Sequence, residues 1–339
     1  MLAAQIESDG LILNDTGDDL IILDNAIIVD RGGVIWKDNW ISDTIHYMPP
    51  DWKDVPWLPG IYNKADKTID IYEECIRETG NIEYPVLWVD SFPANHNFGH
   101  FVHDTLPYGI VFQRSRMLEP QIRPLLVPMN FRNQRSLFSV VFDYPYEQCT
   151  FSQAGYRFKK LYLARRQTDM TSANWTLSFS GIRHARNIAQ NKWGVQGLTS
   201  DYNASLYDVY LHRIQNIDEL RSRGLLLGRD FSNFNEMLNG LLKVGFLALD
   251  PGSLDINIVS NIMSRAKTVV SVHGAGLANL IFCRKEARIF EIRGKGGAWR
   301  SLEALSAVLG NEFIVLDETM VDELNRPFLD IRNIISRVS

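Results

Sequence analysis

Apolar and polar positions follow two different rhythms along this chain. Between residues 10 and 90 the apolar positions come in short runs rich in isoleucine and valine: Leu20–Leu23, Ala26–Val29 and Gly33–Trp36. Such runs predict strands, and Asp30-Arg31-Gly32-Gly33 has the composition of a hairpin turn. Tryptophans and prolines crowd positions 49–60, which predicts an ordered loop. Next come a strand at Pro85–Val89, a long helix at Phe98–Leu118, a strand at Pro124–Val127, a helix at Asn133–Phe142 and a strand at Phe158–Ala164. This half mixes hairpins with βα units.

Residues 165–204 are dominated by Gln, Asn, Ser and Thr, with one basic helix at Gly181–Trp193 and a linker-like stretch from Leu198. From Tyr207 the alternation becomes regular. Strands are predicted at Asp208–Leu211, Phe246–Leu249, Thr268–Val272, Arg288–Ile292 and Phe313–Leu316. Helices are predicted between them at Asn235–Val244, Ile256–Ala266, Leu277–Phe282 and Leu302–Leu309. Strands alternating with helices in this way imply βαβ units and a parallel sheet, whose ligands bind at the carboxyl ends of the strands. The tail from Glu318 reads as one or two helices.

Length changes the picture from one core to two, because 339 residues exceed what a single core ordinarily holds. The division expected is an N-terminal lobe over 1–200, a C-terminal lobe over 206–317, and helices over 318–339 packing back on the N-terminal lobe. A net charge of −5 argues against nucleic acid as the main partner, since phosphate backbones demand a basic surface. Cys75, Cys149 and Cys283 are few and widely spaced, which fits reduced thiols rather than a disulfide framework or a zinc site. The first residues carry no basic, apolar signal-peptide pattern, and no run approaches the ~20 apolar residues that span a bilayer. A cytoplasmic location is the expectation, with peripheral contact at the inner face of the membrane left open.

Two segments carry chemistry. Val269–Val272 breaks into His273-Gly274-Ala275-Gly276 and then into the helix-like Leu277-Ala278-Asn279. A strand, a glycine turn and a helix start make an anion site, because the first N–H groups of a helix lack internal partners and point at a ligand. The same glycines would also serve close helix–strand packing. In the other segment, Asn95 to Pro107, three of the seven histidines fall within eight residues. On a helix, His96, His100 and Asp104 are spaced i, i+4, i+8 with His103 beside them, and Pro107 loosens the turn at His103. An imidazole beside a carboxylate can take a proton from a hydroxyl near neutral pH. The rival readings are a capped helix with partly buried histidines, and a His-His-Asp metal site for which the chain offers no further donor.

Basic and acidic residues complete the second lobe. Arg213 ends the first strand of that half, in Val209-Tyr210-Leu211-His212-Arg213, and Arg229 with Asn233 leads into the following helix. Both arginines suit bidentate phosphate contact, or else surface salt bridges with Asp208, Asp230 or Glu236. Glu291, at the end of the next strand, could hold ribose hydroxyls or lie on an exposed strand face.

Taken in order, His100 to Pro107, Tyr210-Leu211-His212-Arg213, Arg229 with Asn233 and Glu236, and His273 to Asn279 with the later Glu291 resemble glycosyltransferase family 61. The resemblance implies a GT-B fold, two Rossmann-like α/β lobes facing across a cleft, here with a β-rich N-terminal region. It further implies an inverting, metal-independent transferase acting on a nucleotide sugar. A bacterial-like soluble member would work in surface polysaccharide or capsule synthesis. The substrates expected are a UDP-sugar, with no cofactor, and a glycan or lipid-linked acceptor. Asp104 is the expected base, supported by His100, with His103 the third candidate. Arg213, Arg229, Asn233, His273, Gly274, Ala275, Gly276, Asn279 and Glu291 would hold the donor. Two alternatives differ in class: a non-catalytic nucleotide-sugar-binding protein, and a hydrolase using His273–Gly276 as an oxyanion hole. The hydrolase lacks a Gly-x-Ser-x-Gly elbow.

Overall fold

In the computed structural model the isoleucine-rich runs near the start form one strand, not two. β1 (Asp19–Ile28) passes through Asn25 at φ 56°, a left-handed position that asparagine tolerates, so the chain bends without leaving the sheet. The structure describes residues 11–13, 19–29, 33–37, 39–41, 60–63, 68–78, 82, 84–89, 97–126, 128–148, 155–165, 170–172, 175–193, 206–212, 231, 233–293, 301–316, 319–321 and 327–338. Two compact units, 1–185 and 186–339, divide the chain inside a single helix.

The first unit is built on a mixed sheet. β1 pairs antiparallel with β2 (Val34–Trp36), in keeping with the expected hairpin. A parallel core is made by β3 (Val86–Trp88), β4 (Arg123–Leu126), the short strand Glu147–Gln148 and β5 (Gly155–Arg165). β5 joins this core to the antiparallel part by pairing with β1 from Tyr156↔Ile28 to Arg165↔Asp19. Ile21, Leu23, Ala26, Ile28, Val86, Leu125, Phe158 and Leu161 fill the core against the sheet. Helices α1 (Tyr108–Leu118) and α2 (Arg132–Phe142) pack together where Gly109 meets Val141, and a Cβ at Gly109 would lie 2.6 Å from the valine Cγ1. Helix α3 (Phe179–Trp193) begins in this unit and runs on into the second. Gly181 lets it rest on Pro107, since an added Cβ would stand 2.5 Å from the proline Cβ.

The second unit is a five-stranded parallel sheet, as the alternation predicts. Its strands are β6 (Tyr207–Leu211), β7 (Leu247–Leu249), β8 (Ala266–Val272), β9 (Arg288–Ile292) and β10 (Glu312–Leu316). Their spatial order is β7-β6-β8-β9-β10, every neighbouring pair parallel. Strand order reverses between β6 and β8, the place where such sheets open a ligand crevice at their carboxyl ends. Helix α4 (Phe234–Lys243) packs Met237 and Leu241 on one sheet face with Tyr210, Val270 and Phe290. Helix α5 (Ile256–Ser264), the 3-10 helix Ala275–Phe282 and helix α6 (Ser301–Leu309) pack against one another in turn. The tail differs from a purely helical reading. It makes a hairpin of Thr319–Val321 with Pro327–Leu329, then helix α7 (Ile331–Val338), whose Ile334 and Val338 join the α4 cluster.

Arg186, on α3, is buried with no carboxylate beside it among the described residues. It donates to the carbonyls of Leu309 at 2.8 Å and Cys283 at 2.5 Å. Those carbonyls close helix α6 and the 3-10 helix, so one guanidinium satisfies two helix ends and meets the negative pole of both. Among the described residues no helix is long and apolar enough to cross a membrane.

Candidate functional site

Within the first unit, Asn97 starts the helical segment that carries the histidines. Its Oδ1 accepts from Gly99 N at 2.8 Å and His100 N at 3.4 Å, an N-cap that frees the chain to turn. Phe98–His100 is α-helical, but Phe101–Thr105 is a π-helical turn in which Leu106 N reaches back to Phe101 O. Pro107 explains the wide turn. It has no N–H to give His103, and its ring crowds the carbonyl four residues back, so the helix loosens just before it. Such π insertions favour functional positions.

The turn places His100 Nδ1 2.9 Å from Asp104 Oδ2. Asp104 is sunk in the turn with its side chain 5% exposed, while His100 is 19% exposed. His103 and Thr105 are buried beside them. The imidazole therefore fronts the carboxylate, an arrangement in which the acid orients the ring and balances the charge it acquires. His96 lies outside the described residues.

Within the second unit, the residues just past three neighbouring strands form a row at the carboxyl edge: His212 after β6, His273 after β8, Arg293 after β9. Ladder bonds hold their backbones in place, from His212 N to Leu249 O, His273 N to Ile292 O and Arg293 N to Leu316 O. Glu291 is fully buried between two of them. Its Oε1 lies 2.6 Å from His273 Nδ1, and Arg293 Nε donates to Oε2. A carboxylate removed from water needs such partners, and both of its oxygens are engaged. The ribose contact considered for Glu291 would have to pass through His273 or Arg293.

The glycine loop follows. Gly274 caps the 3-10 helix, and Leu277 N to Gly274 O closes the turn at that end. The N–H groups of Ala275 and Gly276 thus precede the helical ladder. Gly276 is exposed, and a Cβ built there would meet nothing within 4 Å. Close packing does not account for this glycine. Asn279 is buried and donates back to Gly276 O at 2.8 Å, fixing the loop from beneath.

Asn233 is placed at the start of α4, where its amide donates to Leu329 O at 2.8 Å and accepts from Leu329 N at 2.9 Å. It pins the tail hairpin. Arg213 and Arg229 lie outside the described residues. Arg293 and His212 are additions to the residues picked from sequence. Arg293 stands two positions beyond Glu291, on the same side of the strand by simple alternation, so continuing the period-two pattern would have found it. His212 was in plain view between Leu211 and Arg213, but it carried no motif of its own.

Burial also tunes this edge. It holds the His212 ring below the usual imidazole range, with Asp250 pulling the other way. It pushes the Tyr210 hydroxyl well above the usual phenol range. Among the described residues no cluster of three His, Cys, Asp or Glu side chains is arranged to hold a metal ion.

The model of the glycosyltransferase 61 family matches residues 98–290, more than half of the chain. That span begins at the short α-helical turn that carries His100 and ends one residue short of Glu291. No curated protein matches the chain.

Proposed function

Because the chain belongs to glycosyltransferase family 61, we propose that it moves a sugar from a nucleotide-sugar donor to a hydroxyl of a glycan or lipid-linked saccharide, with inversion and without a metal ion. Gly276 carries this reading. Its φ is not among the positive ones and its Cβ position is empty, so neither backbone nor packing requires a glycine there. A glycine there leaves the N–H groups of Ala275 and Gly276 open to close approach by a ligand.

Inversion proceeds in one displacement. The acceptor oxygen bonds to the anomeric carbon as the carbon–oxygen bond to the diphosphate breaks, and the acceptor proton passes to a base. His100 suits that base because it is the more accessible partner of the pair, with Asp104 behind it as the group that orients the ring. Before burial is considered, the carboxylate of Asp104 is the first choice; its depth moves it to the supporting position. The departing diphosphate gathers charge, which the glycine-loop N–H groups and, from the sequence, Arg213 and Arg229 would meet. His273, held by Glu291, whose other oxygen takes Arg293, borders the same loop. In this reading the two units are the two lobes of a GT-B enzyme, the first serving the acceptor and the second the donor.

The test is release of nucleoside diphosphate from a panel of nucleotide sugars, UDP-sugars first, with oligosaccharide and lipid-linked acceptors, in EDTA. The expected result is acceptor-dependent release that chelation leaves intact. Binding without turnover would make the protein a nucleotide-sugar-binding module. Activity lost in EDTA and restored by Mn²⁺ would end the metal-free mechanism.

A further inference from the structure

The strand edge beside the glycine loop holds a residue that the reading above leaves without a task. His212 is the first residue past β6, on one side of the point where strand order reverses, and His273 is the first past β8 on the other. Leu211 is in register with Ser271, so His212 sits one rung before His273 on the adjacent strand. Parallel strands run about 4.8 Å apart with about 3.3 Å per residue, so the two backbones are near neighbours. Their side chains leave toward opposite sheet faces. His273 lies on the face of Ser271 and Glu291, and His212 on that of Tyr210, whose cluster includes Val270, Phe290 and helix α4.

The His212 ring is fixed by stacking. It lies on Tyr210 with ring centroids 5.9 Å apart and an interplanar angle of 19°. Tyr210 in turn leans on Phe234 at 6.2 Å. Its hydroxyl is buried and has no hydrogen-bond partner among the described residues, so the phenol is held by packing and serves as an aromatic floor. The histidine above it stays half-buried at the edge. Burial keeps that ring toward its neutral form against the pull of Asp250, and a neutral imidazole offers one donor and one acceptor to uncharged partners.

We infer that His212, seated on Tyr210, is a binding residue for the nucleoside part of the donor, next to a diphosphate held at Ala275 and Gly276. This rests on the donor-site reading of the glycine loop. A diphosphate joins two groups, the nucleoside and the sugar. The sugar must be open to an acceptor, whereas His212 is set against its own sheet with a buried phenol behind it, which suits the part that stays with the enzyme. A planar ring on an aromatic floor accepts ribose or base by stacking and hydrogen bonding.

The experiment measures binding of UDP, GDP, ADP, CDP and dTDP, and of inorganic pyrophosphate, to the full chain by calorimetry. It is repeated with His212→Ala and His212→Gln. The expected result is that His212→Ala weakens the preferred nucleoside diphosphate about tenfold while pyrophosphate affinity holds, and that His212→Gln loses less. The 2′-deoxy form of the preferred nucleotide separates the two sources. An equal loss on it assigns the contact to the base, and a vanished loss assigns it to the ribose. Unchanged nucleotide affinity in both variants would overturn the inference, as would parallel losses for nucleotide and pyrophosphate, or a loss confined to the intact nucleotide sugar. Those failures leave the donor-site reading standing. If the wild-type chain binds none of the nucleoside diphosphates, the donor-site reading falls as well.

Discussion

His100 and Asp104 are in contact and differ in depth: the ring nearer the surface, the carboxylate beneath it. In the proposed mechanism Asp104→Asn keeps the shape but removes the charge that would steady the imidazolium, and His100→Gln removes the proposed base. Each should lower kcat by roughly 10²–10⁴ and leave nucleoside diphosphate affinity near wild type, as read by steady-state kinetics and calorimetry. Full turnover in His100→Gln with loss in Asp104→Asn would return the base to the aspartate. Glu291 makes the opposite kind of prediction. It is fully buried between His273 and Arg293, so Glu291→Gln removes the buried charge that both of them face. Denaturant unfolding should show a loss of about 3 kcal/mol. Helical spacing made the His100–Asp104 contact legible, because residues four apart on a helix are neighbours whatever surrounds them. Which of the two is accessible was not legible. Depth is set by packing around the turn, and the sequence names no such distance.

Among elements, the parallel sheet of the second unit was the most readable part, since its central strands β8 and β9 are largely buried apolar runs and strands alternate regularly with helices around them. The tail was the least readable. Thr319–Val321 and Pro327–Leu329 are too short to show a period, and what holds them is Asn233 from the start of α4. Two glycines look alike in sequence and differ in the fold. Gly181 sits against Pro107, so Gly181→Ala must push α3 off that proline and should cost about 1–3 kcal/mol of stability. Gly276 faces open space, so Gly276→Ala should melt as wild type does. Its nucleotide binding should nonetheless weaken, by about tenfold or more, because the methyl takes the ligand's place. Thermal melts and calorimetry on the same two variants separate these outcomes; a Gly276→Ala variant that binds normally would remove the phosphate role of the loop.

For the molecule as a whole, acid tolerance is set in part by histidines that folding keeps from water. His184 is held below the ordinary imidazole value by burial, then by Arg114, and His212 by burial against Asp250. Below about pH 6.5 the unfolded chain takes up protons that these two sites in the folded chain resist, so stability falls as pH drops through that value toward their folded pKa. Above it the contribution is complete. Chemical unfolding at pH 5.5 and pH 8 should therefore show a smaller acid-side loss in His184→Gln than in wild type. Parallel losses in the two proteins would mean that other groups govern the acid limb.

The guanidinium of Arg186 has a consequence for where the chain can be cut. Read from its composition, the chain invites a cut in the polar stretch before Tyr207, where a fragment would begin with the first strand of the parallel sheet. Such a fragment discards the cation on which two helices end. It would strip the carbonyls of Cys283 and Leu309 of their charged donor and leave them to water. A fragment of residues 179–339 keeps that cation, and it should unfold at higher urea than one of residues 206–339, by about 2–4 kcal/mol. Arg186→Met in the longer fragment should remove a large part of that difference, the rest belonging to Gln190 and Trp193 against Phe282 and Cys283. A stretch of helix that sequence assigns to one half of the protein would then be the missing stopper of the other.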